Sequence, residues 1–340
     1  ILKEISMIEP YEDQLDSIYL GGGTPSLMEP HLIETLLDNC GRHFSIPSDC
    51  EITLEANPGT LTFSKLKSFK EAGINRLSLG VQSFSEVELK LMGRIHDREE
   101  VYNTVEWLRA IDLKNFSIDL IYGIPGQTME IWLDNLRQAI GLNPTHVSCY
   151  LLQLDEETPL GRQVADKTIR LLTEDEEADL YYQTIQELVG TGFEHYELSN
   201  FALPGFYSRH NLNYWRAGEY IGIGAGAVSY RNSCRYKNRA DVEQYTRALL
   251  NDKRPEIIVL ENMDQHELLA DAMILGLRLI DGVDTDRLAK RFGIDPREIY
   301  HNAIKENIDA GLLAADPPNL RLTNRALFLS NQVFRDFLNI

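Results

Sequence analysis

Four times in the first 126 residues a short apolar run stops at glycine, proline or a polar side chain, and a segment of helical periodicity follows. The runs are Asp16–Leu20, Ile52–Leu54, Arg76–Leu79 and Phe116–Tyr122, and a fifth, His146–Leu151, comes after them. Between them the period changes to that of helices: Pro30–Cys40, Phe63–Ala72, Glu86–Leu91, Asp97–Ile111 and Thr128–Ile140. Strands that alternate with helices of this length predict right-handed βαβ units and a parallel sheet. Five strands are too few for a closed eight-stranded barrel, so the expectation is an open or partial one.

In such a sheet ligands bind at the C-terminal ends of the strands, and those ends are where the unusual residues fall. "GGGTP" follows the first strand, "EANPG" the second, "GVQSF" the third and "YGIPG" the fourth. "GGGTP" is neither a dinucleotide fingerprint nor a phosphate loop, since it lacks the GxGxxG spacing and the Gly-Lys-Ser/Thr ending. Taken singly, each element has an ordinary structural reading, as a turn or a cap; Asn57 is read that way. Together, Glu55, Gln82 and Asp119 at three successive strand ends, Gly21–Gly23 at another, and Arg94 in "LMGRIHD" describe a rim for a zwitterionic, sugar-bearing ligand. Carboxylates accept from hydroxyl or ammonium groups, and a guanidinium holds a carboxylate in a fork.

The rhythm changes beyond Leu154. A helix at Glu174–Val189 leads to a strand at 193–198, then to a glycine-rich, aromatic stretch. We expect an α/β barrel portion over 1–205, a connecting region over 206–255, and a small helical domain over 256–340. In the last, helices at Gln265–Leu279, Asp284–Phe292 and Pro296–Ala310, a hairpin across "GLLAADPPNLRLT" and a helix at Asn324–Leu338 resemble a winged helix. The formal net charge of −19 and the weakly basic "PREIYHNAIKENIDA" argue against nucleic acid as a partner. The four cysteines, Cys40, Cys50, Cys149 and Cys234, form no CxxC pair and read as reduced thiols in a cytoplasmic setting. No apolar span reaches the ~20 residues of a membrane-crossing helix.

The ordered motifs "YLGGGTPSLM", "TLEANPGT", "RLSLGVQSF", "LMGRIHD", "SIDLIYGIPGQT", "HYELSNFALPG", "RHNLNYW", "GIGAGAVSY" and "LGLRLIDGVD" span essentially the whole chain. They resemble the radical S-adenosylmethionine (SAM) family that contains the oxygen-independent coproporphyrinogen III oxidases and the HemW-type haem chaperones. The resemblance implies a partial (β/α)6-type radical SAM barrel with a small winged-helix-like C-terminal domain. It also implies that Gly21, Gly22, Gly23 and Thr24 meet the methionine moiety of SAM. Glu55, Gln82, Arg94 and Asp119 would contact its amino acid and ribose parts, and Tyr122 and Gly123 would border the adenine.

One departure is severe. The family holds a [4Fe–4S] cluster through CxxxCxxC on a loop after the first strand, and nothing here matches it. "ILKEISMI" reads as a helix already in progress, so the expectation is that the cluster segment and first strand lie upstream of residue 1. The intact protein would then carry SAM and the cluster.

"SRHNLNYW" separates the functional classes. A lone histidine among aromatics is more often packing than a ligand, yet imidazole is a suitable axial ligand for haem iron. HNxxYW resembles the HemW-type signature, which implies His210 as the iron ligand, with His195 second to it and His96 only a neighbour of the SAM site. Arg209 and Arg216 flank the motif. The reading is a haem chaperone that carries haem as cargo to acceptor proteins, and proteins of the respiratory chain are one class of acceptor that the resemblance suggests. The alternative is a radical oxidase that converts coproporphyrinogen III to protoporphyrinogen IX. A homodimer is left open.

Overall fold

The structure is a computed structural model and describes residues 1–8 and 14–338. The chain divides into two compact units. One is formed by 17–37 and 50–207, the other by 1–16, 38–49 and 208–340.

The first unit is built on a seven-stranded sheet. Its strands are β1 (Ser17–Leu20), β2 (Glu51–Ala56), β3 (Arg76–Gln82), β4 (Phe116–Tyr122), β5 (His146–Leu151), β6 (Glu194–Glu197) and β7 (Asn200–Ala202). They lie in the order β1-β2-β3-β4-β5-β7-β6. The first five are parallel, each beside its predecessor in the chain. Sequential order combined with right-handed crossovers puts every connecting helix on the same face of the sheet. The other face carries none of these connecting helices, and this decides what the unit can do.

The helix-bearing face is closed by burial. Leu54, Leu77, Leu79, Ile118, Leu120 and Val147 are wholly buried, as are Leu66, Phe69, Val101, Val105, Leu108, Trp132 and Leu136 on the helices Phe63–Glu71, Arg98–Ala110 and Met129–Gly141. Those helices start where the sequence supplies caps. Thr62 accepts from Lys65 N–H, Thr128 from Ile131 N–H, and Asp97 forms a capping box with Glu100. Each such cap satisfies N–H groups that a helix start otherwise leaves bare.

The expected strand over 193–198 is β6, and a second strand, β7, follows just beyond it. β6 and β7 form a tight antiparallel hairpin, and β7 pairs antiparallel with β5. This ends the parallel series.

The second unit contains two small sheets. β8 (Val228–Arg231), β9 (Cys234–Asn238) and β10 (Ile257–Asn262) form an antiparallel meander within and just after the stretch read as a connecting region. Further on, β11 (Val283–Asp284), β12 (Leu313–Asp316) and β13 (Asn319–Leu322) form a three-stranded sheet beside the helices Gln265–Gly276 and Thr285–Phe292. The helix expected over Pro296–Ala310 is broken at Tyr300 into Pro296–Ile299 and His301–Asp309. Tyr300 is buried edge-on against Phe337, 5.1 Å between ring centres, and that anchoring favours the break. The last segment is a short turn of 3-10 helix at Asn324–Ala326 and a helix at Ser330–Arg335, not one helix. Beneath the first helix, Leu2–Met7, the buried Glu4 carboxylate accepts from Gly224 N–H at 2.9 Å and Asn238 Nδ2 at 2.6 Å, and from the Tyr245 hydroxyl. A buried carboxylate needs partners of this kind. No helix among the described residues is long and apolar enough to cross a membrane.

Candidate functional site

The strand ends of the first unit converge on one cavity of about 220 Å³. It is lined by Gly23, Thr24, Glu55, Ala56, Asn57, Ser78, Gly80, Gln82, Arg94 and Asp119. Six of the residues singled out from the sequence are therefore together: Gly23, Thr24, Glu55, Gln82, Arg94 and Asp119.

The glycine run after β1 has a different reason at each position. A Cβ on Gly21 would lie 2.7 Å from Cε1 of Tyr19 and 3.0 Å from the Glu55 carboxyl. Gly22 has φ +87°, a backbone state that side chains disfavour. A Cβ on Gly23 would meet nothing within 4 Å, and this residue faces the cavity. Behind the run, the Tyr19 hydroxyl donates to Glu55 Oε1 at 2.7 Å, and Gly22 N–H donates to the same carboxylate. Burial nevertheless raises the Glu55 carboxyl above its ordinary range, and the neighbouring Asp119 adds to this, against the two hydrogen bonds.

At the end of β3, Gln82 is held at φ +70°, left-handed for a residue with a long side chain. Such a conformation costs on the order of 1–3 kcal/mol and persists only where the surroundings enforce it. Here they do. Phe84 N–H donates to Asn135 Oδ1 at 2.7 Å, and Ser83 Oγ bonds both Glu88 and Asn135. His96 is buried, which lowers its pKa, and its neutral ring donates from Nε2 to the Val81 carbonyl at 3.0 Å. That bond ties the loop carrying Arg94 to the strand end. Among the described residues the Arg94 guanidinium has neither an ion pair nor a hydrogen bond, so it stands in the cavity wall available to an anion.

Asp119 lies on the side of the cavity formed by β4. Ser78 donates to Oδ2 at 2.7 Å, Ser117 donates to Oδ1 at 2.8 Å, and Ser148 also bonds the carboxyl. Burial raises its pKa in spite of these hydroxyls and of the nearby Arg76. The site therefore has two carboxylates pushed upward, one uncommitted guanidinium, the amides of Gln82 and Asn57, and the backbone of Gly23 and Thr24. This set matches a ligand with both charges and several hydroxyls.

Tyr122 and Gly123 are not among the lining residues. The Tyr122 side chain is buried on the helix side of the sheet, 5.7 Å from Trp132 and 6.3 Å from Tyr181 between ring centres. Gly123 N–H donates to Gln127 Oε1 at 2.9 Å. The Tyr122 carbonyl in turn accepts from Leu152 N–H at 2.9 Å.

His210 belongs to the other unit. It sits in the helix Arg209–Trp215, which Ser208 caps by accepting from Asn211 N–H and which buries none of its residues. Nε2 is 2.9 Å from the Tyr214 hydroxyl, and Tyr214 in turn lies edge-on to Tyr220. Arg278 covers the Trp215 ring at 4.3 Å. Of the flanking arginines, Arg209 pairs with Asp49 at 3.3 Å, and the Arg216 carbonyl accepts from Arg291. His195 is stacked on Phe201 with ring centres 4.3 Å apart, and burial lowers its pKa to about 4.

Ser78, Gly80 and Ala56 went unremarked in the sequence, and Asn57 was read only as a turn former. Asn57 does accept from Gly59 N–H as a cap, and it also lines the cavity. The signal for Ser78 and Gly80 was their spacing of four and two from Gln82, which puts residues of one strand on one face.

The donor set for an iron–sulfur cluster is not found here. No group of three or more His, Cys, Asp or Glu stands close enough to hold a metal ion among the described residues. Cys40, Cys50 and Cys149 are each buried, and Cys234 is half-buried.

Residues 1–139 match the radical SAM superfamily, and residues 263–329 match the HemN C-terminal domain. A heme chaperone HemW of Lactococcus lactis is 38% identical over 337 residues, 98% of this chain and 88% of the relative. One from Bacillus subtilis is 34% identical over 96% of this chain and 86% of the relative. A solved structure described as coproporphyrinogen III oxidase (HemN) from Escherichia coli, a radical SAM enzyme, superposes with a TM-score of 0.82. It covers 99% of this chain and 81% of that one at 21% identity, a likeness of fold.

Proposed function

The chain belongs to the HemW/HemN family of radical SAM proteins, and from that premise we propose that it is a haem chaperone of the HemW type whose strand-end cavity binds SAM. Family membership implies the use of SAM and an iron–sulfur cluster in general. In this reading the cluster is [4Fe–4S] and haem is the cargo.

The cavity supports the SAM reading. Arg94 is the group for the ligand carboxylate, since no described residue neutralises it. Glu55 and Asp119 are acceptors for ammonium and ribose hydroxyls, and Gln82 supplies an amide whose backbone strain keeps it at the rim. Gly21, Gly22, Gly23 and Thr24 let the chain pass close to the methionine end. Tyr122 and Gly123 offer backbone to the adenine. A bound SAM supplies a sulfonium that an electron donor can cleave. The described residues fit SAM but offer no set of cluster ligands.

The observation that carries the haem reading is the helix Arg209–Trp215. The residues from His210 to Trp215 are all half-buried, so an imidazole and two aromatic rings stay partly accessible on one short helix, and a flat macrocycle is a ligand that would use them. His210 is the axial ligand in this reading. His195, enclosed by stacking, is the poorer candidate.

The test uses full-length, cluster-loaded protein, presented separately with haem and with coproporphyrinogen III under anaerobic conditions. We expect stoichiometric haem binding that weakens in His210→Ala, transfer of haem to an acceptor protein, and no decarboxylation. Turnover of coproporphyrinogen III to protoporphyrinogen IX would replace the chaperone by the oxidase. Firm haem binding unchanged in His210→Ala would move the ligand elsewhere.

A further inference from the structure

A line of buried polar groups runs from the cavity into the sheet. Ser117 Oγ is 2.8 Å from Asp119 Oδ1 and 2.8 Å from His146 Nδ1, and His146 Nε2 is 2.9 Å from the Tyr196 hydroxyl. Ser117 and His146 are wholly buried and Tyr196 is 6% exposed. The direction of these bonds follows from the donor inventory. A hydroxyl has one proton, and Ser117 spends it on Asp119 Oδ1. Its contact with His146 must then be donated by Nδ1–H. Burial, with Arg76 nearby, holds the His146 ring neutral by pushing its pKa well below the ordinary value. A neutral ring protonated at Nδ1 can only accept at Nε2, so the Tyr196 hydroxyl donates to it. Every bond in the line points toward Asp119.

We infer that His146 is a positioning residue for the cavity: it fixes the Ser117 hydroxyl as a donor to Asp119 Oδ1 and so keeps that carboxylate an acceptor for the ligand. The inference rests on the reading of the cavity as the SAM site. Without the Nδ1–H donor, Ser117 is free to turn its proton toward Ser148, 3.4 Å away, and Asp119 loses a bond that favours its ionised form. Other groups also face this carboxylate. Arg76 approaches from β3, Glu55 from β2, Tyr19 from β1, and Cys149 and Tyr150 from β5, while Arg94 lines the same cavity. Burial pushes Tyr19, Cys149 and Tyr150 upward, away from the acid range. Glu55 shares that range, but its own partners, Tyr19 and Gly22, do not involve His146.

The affinity of full-length, cluster-loaded protein for SAM, measured by calorimetry across pH, tests this. Wild-type affinity should weaken as pH falls and Asp119 takes up a proton. In His146→Leu that weakening should begin about one pH unit higher, with roughly fivefold weaker binding at the former midpoint. His146→Asn, whose amide can donate where Nδ1–H did, should restore the wild-type profile. Ser117→Ala should match the leucine variant and serves in its place if that variant fails to fold. A folded leucine variant with the wild-type profile would overturn the inference, as would equal shifts in the leucine and asparagine variants. A wild-type protein that takes up no SAM would overturn the ligand reading itself, and this inference with it.

Discussion

The two faces of the parallel sheet are built from the same strands and do opposite work. Along β3, Leu77 and Leu79 point into the helix layer while Arg76 and Ser78 point the other way; along β4, Ile118 and Leu120 alternate with Ser117 and Asp119. Strands of a parallel sheet covered on both faces read as nearly unbroken apolar runs. Here they alternate, because the sequential strand order places helices on one side only. The apolar face obtains its stability by excluding water. The polar face is also largely buried, yet it is full of hydroxyls, carboxylates and rings that must satisfy one another, and burial raises both Glu55 and Asp119. One face is organised for folding and the other for a ligand, at some cost to folding.

The comparison breaks most visibly at Trp132. It is wholly buried on the helix side and donates from Nε1 to Thr184 Oγ1 at 2.8 Å. Trp132→Ala should lose ~3–5 kcal/mol of stability in urea unfolding. A loss below ~1 kcal/mol would mean that this face does not carry the core. Arg94→Ala should do the reverse. It should change unfolding by less than ~0.5 kcal/mol and weaken SAM about 10–100-fold, the range of a hydrogen-bonded charge. A variant that binds as wild type would take Arg94 out of the site.

Much of this division was legible in the sequence, since period-two alternation and the strand-end motifs are local signals. Six of the named residues line one cavity because the ends of parallel strands lie side by side. What was not legible depends on contacts far apart in the chain. Tyr19 with Glu55, Ser78 with Asp119 and His146 with Tyr196 are separated by 36, 41 and 50 residues. The meander β8–β10 was missed for a different reason. Its first turn holds Asn232 and Ser233 both at positive φ, a tight hairpin turn made with Asn-Ser in place of the recognisable Asn-Gly. Tyr122, placed at the site by its position in a motif, has its side chain on the helix face, because strand alternation sends it there.

Asp119→Asn tests the division between the two faces most directly, with ligand affinity and stability measured on the same full-length, cluster-loaded protein. Burial raises the folded-state pKa of Asp119, so folding favours its protonated form. The stability this contributes is present at acid pH and is lost as pH rises through the raised value. Asparagine cannot ionise. At neutral pH Asp119→Asn should therefore be at least as stable as wild type, with the difference closing as pH falls, while its affinity for SAM drops about tenfold or more. A protein that is destabilised at neutral pH and still binds SAM as tightly as wild type would contradict the account, since Asp119 would then serve the fold and not the ligand.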